Sequence, residues 1–198
     1  LTAAFESYLF EYETVFSRIE DYFKIRGETN QSRYLKMHDM LVRIEPQDSA
    51  FSVFSRLFNA HLSDTALTLS VAPELSSELK TWLRLRAPDL KAVYVEEDQG
   101  ALIERIGNVE RMRFASPDVV SEALYRAAEK RGIYIAASPP QMDGRLELAL
   151  YFREQCVSHC YHRYGNLGQH QLNPHVEDAL APGALPDEVY RKDADEPE

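Results

Sequence analysis

Apolar positions recur along the chain with two different periods, reading first as one helix and then as strand and helix in alternation. Over residues 3–25, Phe5, Tyr8, Leu9, Tyr12, Val15, Phe16, Ile19, Tyr22 and Phe23 fall at three- and four-residue steps, with Glu6, Glu11, Glu13 and Glu20 opposite. That spacing predicts a long, aromatic-faced helix. Gly27 would end it, and GETNQSRY reads as a polar connector. Short β-rich runs follow at 40–44, 67–71, 92–96, 111–115 and 133–137. Helical spacing fills the gaps at 50–62, 74–85 and 100–106, and again from Ser116 to Gly132. In 50–62, Phe51, Phe54, Leu57, Phe58 and His61 would share one side, behind Pro46 as a stop and Asp48 as a cap. Ser116 suits an N-cap, Pro117 a first helical position and Gly132 a C-terminal stop. Strands alternating with helices imply a mostly parallel sheet covered on both faces. The predicted fold class is therefore α/β and Rossmann-like. It has about five strands, a long aromatic-rich helix before it and a loose acidic tail after it.

The stretch 145–168 is different. It begins as an amphipathic helix through Leu146, Leu148, Leu150, Tyr151 and Val157, then turns into HCYHRYGN and ends on two glycines. Histidine, arginine and asparagine are rarely buried without partners, while two exposed tyrosines have no use in a plain solvent loop. A segment covered on docking fits both facts, because aromatic residues and arginine carry most of the energy of interfaces. The predicted organisation is a connector helix and loop at 1–36, an α/β domain at 37–144, a docking motif at 145–168 and an acidic, proline- and alanine-rich tail at 169–198. That tail has no periodicity and is expected to be disordered or draped over a partner.

Composition narrows the function. The 198 residues carry a net charge of −10, and from Gln169 onward eight acidic residues face two basic ones. An acidic chain without a basic stripe argues against nucleic acid. No run of about 18 apolar residues is present to span a membrane. Two cysteines four apart form no disulfide framework, which predicts a reducing, cytoplasmic compartment. The chain opens on Leu1 inside a helical pattern, as a piece of a longer polypeptide would.

Candidate chemistry is sparse. A dinucleotide fold needs glycines after its first strand so that the backbone can approach the pyrophosphate. Here that turn is EPQDSA, and Glu45 and Asp48 would repel phosphate. Cys156, His159, Cys160 and His162 lie within seven residues, and on a helix the first three would share a face. Structural zinc usually clamps two separated ligand pairs, so no metal is assigned. Cys156, in the apolar part of the run, reads as a small core residue, and no catalytic residue is assigned.

The string GRLELALYFREQCVSHCYHRYGNLG, at GRLEL, REQ-x-VSH and YHRYGN, resembles the C-terminal motif of the long bifunctional proline utilization A enzymes. FSRIEDYFKIRGETNQSRY is similar to their connector, and the α/β region resembles their additional aldehyde-dehydrogenase-superfamily domain. That resemblance implies a parent that oxidises proline to glutamate. It would join an FAD-dependent proline dehydrogenase to an NAD-dependent dehydrogenase of L-glutamate γ-semialdehyde (Δ1-pyrroline-5-carboxylate). The segment itself would be non-catalytic, since neither a G-Q-x-C nor an E-L-G-G string occurs, and the resemblance implies that it binds no cofactor of its own. Its partner would be the semialdehyde dehydrogenase domain of the same polypeptide, whose site and channelling cavity the motif would seal. His159, Tyr161, His162, Arg163, Tyr164, Gly165 and Asn166 would be the docking residues. The parent would be a cytoplasmic bacterial enzyme that can sit peripherally at the inner membrane. Two other readings stand beside this one: a self-association module forming a homo-oligomer, and an independent nucleotide-binding module.

Overall fold

The structure, a computed structural model, describes residues 1–25, 27–107 and 109–160. Helix α1 (Thr2–Glu11) runs into a π-helical turn, Tyr12–Phe16, followed by strands β1 (Ile19–Glu20), β2 (Glu28–Lys36) and β3 (Asp39–Ile44). Then come α2 (Ala50–Leu62), β4 (Ala66–Val71), α3 (Ser77–Arg86), β5 (Ala92–Glu96), α4 (Gln99–Arg105) and β6 (Arg111–Phe114). The described chain ends with α5 (Glu122–Glu129), β7 (Tyr134–Ala137), α6 (Gly144–Leu148) and β8 (Phe152–Cys160). The described residues form two compact units: Leu1–Ser17 with Lys36–Arg153, and Arg18–Leu35 with residues 154–160.

The first unit holds a five-stranded parallel sheet in the order β5-β4-β3-β6-β7. Leu41 of β3 stands beside Met112 of β6, and Val42 beside Arg113. Because side chains alternate across a strand, Leu41, Met112 and Phe114 share one face. They pack there with Leu102 and Ile106 of the α4 region and Leu124 of α5 in one buried cluster. Arg113, on the opposite face, reaches Glu147 of α6. The α/β reading thus holds, and α2 and β5 begin and end where their patterns predicted.

Three local expectations are overturned. The first helix stops at Phe16 rather than at residue 25, with the Phe16 ring tilted against Phe152, centroids 5.2 Å apart, as its last buried anchor. Beyond it Tyr22, Phe23 and Ile25 are exposed, so their apparent helical spacing buries nothing there. The GETNQSRY stretch is no connector but the greater part of β2, entered through Gly27 at φ 87°. Finally, the 116–132 helix breaks in two. Pro117–Val119 is a single 3-10 turn capped by Ser116, and α5 starts afresh on the Ser121 side chain, which accepts from the Leu124 amide. Gly132, at φ 67°, closes it as expected.

The second unit is a three-stranded sheet ordered β1-β2-β8, with β1 antiparallel to β2. Its β1–β2 loop is fixed by Asp21, whose carboxylate accepts from the amides of Phe23, Lys24 and Asn30. Those amides hold the Asp21 carboxyl below its usual range, the Lys24 and Asn30 bonds most strongly.

Candidate functional site

The strand order reverses between β3 and β6, and the crevice beyond the carboxyl ends of such strands is where open α/β sheets bind ligands. Here it is a cavity of about 440 Å³, with Arg43 and Glu45 from β3 and its turn, Glu74 after β4, Asp98 and Gln99 after β5, and Asp118 after β6. Gln99 crosses it. Its Nε2 donates to Glu45 Oε1 at 3.2 Å and to the Val119 carbonyl at 2.5 Å, and its Oε1 accepts from the Ser121 amide at 3.0 Å. One cation faces four carboxylates in this lining, so a pyrophosphate would meet repulsion.

The turn after β3 also differs from a phosphate loop in what it holds. Glu45 and Asp48, expected to repel phosphate, are each held in a buried ion pair. Arg43 Nε donates to Glu45 at 2.9 Å and Arg56 Nη2 to Asp48 at 2.5 Å, all four side chains being nearly or wholly buried. Asp48 Oδ2 also accepts from the Glu45 amide. Ser49, not Asp48, caps α2 by accepting from the Ser52 amide. Ahead of α2, where a dinucleotide fold would hold phosphate, the Asp48 carboxylate is taken up by Arg56 and the Glu45 amide, and the Ser52 amide by Ser49.

A second buried cluster lies under β5. Arg43 Nη1 donates to Ser70 Oγ and to the Glu97 carbonyl, Ser70 donates to Glu97 Oε1, and Arg105 grips Glu97 with Nε and Nη2 at 2.9 and 2.5 Å. Burial pushes the Glu97 carboxyl up, but the bonds from Arg105 and Ser70 and the charges of Arg105 and Arg43 outweigh it, leaving it below 4.5. A carboxyl depressed in the folded state contributes stability above its unfolded pKa, and that contribution is lost as pH falls through the folded value. Wild-type chain should therefore exceed Glu97→Gln in urea midpoint at pH 7, with the gap closing on acidification below about pH 4. A gap that stays constant across that range would show that the Glu97 charge contributes nothing.

No protein-family model matches the chain, and no curated protein does. Solved structures do. A mutant of Proline Utilization A (PutA) from Bradyrhizobium japonicum aligns at TM-score 0.53 and 16% identity, covering 69% of this chain and 15% of that one. A mutant aldehyde dehydrogenase from Bacillus cereus aligns at TM-score 0.52 and 13% identity, covering 68% and 29%. Staphylococcus aureus AldH, in a substrate-bound state, gives 0.50 and 13%, covering 68% and 31%. The shared property is the fold. This chain spans less than a third of each of these three neighbours.

The terminal motif falls partly inside the described residues. GRLEL is α6, held at its start by Asp143, which accepts from the Arg145 and Leu146 amides. REQ-x-VSH lies on β8, a strand where a continuing helix was expected. Cys156 and His159 thus fall on opposite faces, and Cys156 and Cys160, four residues apart on one face, are about 13 Å apart. Both cysteines are exposed, so Cys156 is not a core residue. Of the predicted docking residues, His159 is exposed on β8, while Tyr161, His162, Arg163, Tyr164, Gly165 and Asn166 lie outside the described residues, as does the acidic tail. Among the described residues no three His, Cys, Asp or Glu side chains are grouped to hold a metal, and no helix is long and apolar enough to cross a membrane.

What the sequence reading missed is the buried cluster of Arg113, Glu147 and Tyr151. Arg113 Nη2 donates to Glu147 Oε1 at 2.9 Å with both side chains at 0% exposure, and Tyr151 donates to the same oxygen at 3.1 Å. Burial pushes the Tyr151 phenol far up and keeps it a neutral donor. The one sequence signal was two arginines at strand positions in RMRF.

Proposed function

We propose that this chain is a non-catalytic structural and docking domain of a bifunctional enzyme that converts proline to glutamate. Its terminal motif would seal the semialdehyde dehydrogenase site and the channelling cavity of the same polypeptide. The observation that carries this reading is the carboxylate-lined crevice. The chain has the fold seen in PutA and aldehyde dehydrogenase chains, yet at its switch point Gln99 spans the opening and carboxylates line it. NAD and FAD belong to the parent's other domains. Excluding water and holding the walls of the active site matter where an intermediate must not escape.

Arg163 is the proposed anchor, as a forked donor to carboxylates or carbonyls. In the parent polypeptide Arg163→Ala should weaken docking by about 2 kcal/mol, roughly thirtyfold, and lower semialdehyde oxidation while proline oxidation continues. An unchanged rate and an unchanged oligomeric state would count against the reading. An NAD titration of the chain should show no saturable binding, and a saturating one would favour an independent nucleotide module instead. Self-association has one observation of its own: Tyr22, Phe23 and Ile25 stand exposed on the fixed β1–β2 loop. Sedimentation at several concentrations separates it, because docking within one polypeptide does not depend on dilution.

A further inference from the structure

Helices α4 and α5 enclose a groove that the proposed function does not use. It measures about 500 Å³, its floor formed by Ile103, Ala123 and Ala127 and its rim by Arg126, Lys130 and Arg131. The floor is firm. Leu102, Leu124 and Ala128 lie directly behind it in the buried core, and Ile103 packs against the same cluster. Two alanines one turn apart on α5 also allow an incoming backbone to come close. The rim is charged and largely uncommitted. Arg126 pairs with Glu122, the one carboxylate of the lining, but both side chains are mostly exposed, so that pair is worth little and is easily exchanged. Arg131 makes a long bond to the Ala127 carbonyl, and the Lys130 ammonium has no ion-pair partner among the described residues. In a chain of net charge −10, three cations around an apolar floor reverse the local field.

We propose that this groove binds an acidic amphipathic helix of a partner protein. The partner's apolar ridge lies on Ile103, Ala123 and Ala127, and its flanking carboxylates meet Arg126, Lys130 and Arg131. Helices with anchors at i, i+3, i+4 and i+7 fill such grooves in this way. Charge complementarity selects this partner: a basic ligand would meet the wrong rim, and a nucleic acid brings no apolar ridge for the floor, whereas an acidic amphipathic helix matches both. Because the overall charge opposes approach, the contact is short-ranged and sensitive to salt.

The test is fluorescence anisotropy of the full chain with a labelled helical peptide carrying leucine at those anchor positions and glutamate elsewhere. Saturable binding is expected that weakens about tenfold or more in two variants. One is the triple reversal Arg126→Glu, Lys130→Glu, Arg131→Glu; the other is Ala123→Trp, which fills the floor and leaves the charges alone. Circular dichroism should show both variants folded. A peptide of the same composition with scrambled leucines should bind at least about tenfold more weakly. Equal binding by that peptide would reduce the contact to bulk attraction and overturn the proposal. Equal binding by the variants would do the same. So would self-association of the chain that the charge reversal abolishes, since the occupant would then be a second copy. No binding at all would also overturn it, leaving the cations with only the carboxyl end of α5 to serve.

Discussion

Glu147→Ala should destabilise the chain by about 3–5 kcal/mol, the cost of leaving a buried charge without its partner. Both Glu147 and Arg113 are at 0% exposure. Glu147 Oε1 accepts from Arg113 and Tyr151, and Oε2 accepts from the Gln141 amide at 2.8 Å, so one carboxylate satisfies three donors, two of them buried. Arg113 keeps carbonyl partners at Phe114, Ala136 and Ser138, but none of them carries a full negative charge. A domain of this size has a stability on the order of 5–15 kcal/mol, so the loss is a large share of the total. Glu147→Gln, which keeps the shape and removes the charge, should cost less. Arg113→Met combined with Glu147→Leu should recover much of the loss, because an apolar pair of similar volume often replaces a buried ion pair at little net cost. Urea unfolding measures all three. A loss under about 1 kcal/mol for Glu147→Ala would mean that water reaches Arg113 and that the cluster does not fix α6 to the sheet.

Gly144→Ala should be the next most damaging single change, at about 3 kcal/mol, the upper end of ordinary overpacking. Gly144 opens α6 where that helix meets α1. An added Cβ would fall inside the contact distance of the Ser7 carbonyl oxygen, 2.8 Å from the Ser7 carbonyl carbon and 3.0 Å from the Tyr8 Cα. These are backbone atoms of a helix and cannot rotate aside. Relief requires α1 to move away, and α1 is tied down at several points. The Ser7 hydroxyl accepts from the Gly144 amide at 2.9 Å, Tyr8 donates to the Gln141 carbonyl, and Phe5 stacks on Phe58 at 4.4 Å. Limited proteolysis should cut within α1 sooner in the variant, in step with its lower urea midpoint. Wild-type stability in Gly144→Ala would contradict the close approach of the two helices.

The alternation of the parallel sheet was legible because its strands are short apolar runs punctuated by proline, glycine and capping serine. Near Pro46, Pro73 and Gly132 the predicted ends fall within a few residues of the observed ones. The smaller sheet was not legible, since its strands carry polar residues that serve one another. Arg33 on β2 donates to Gln155 on β8 at 2.6 Å, a pairing that looks like solvent-facing chain when either strand is read alone. The leucines of 145–151 match a helical period, and only the tertiary fold cuts that helix short at Leu148 and continues the chain as β8. Arg43, Arg56 and Arg113 are buried because each has a carboxylate brought to it by folding, two of them by a neighbouring turn or strand and one from 34 residues away. The missing phosphate loop could be read directly from EPQDSA. Its replacement by Gln99 and buried ion pairs could not, because those partners converge only once β3, β5 and β6 end at the same edge.

The proposed role of the chain's end is to complete a dehydrogenase site elsewhere in its parent polypeptide. The most direct measurement is on that parent, shortened to end at Cys160, which leaves α6 and its buried Glu147 in place. Semialdehyde oxidation with NAD and proline oxidation would be assayed separately. Loss of the former with the latter intact is the predicted result. Two normal activities would contradict it, and the motif beyond Cys160 would then have no part in the dehydrogenase reaction.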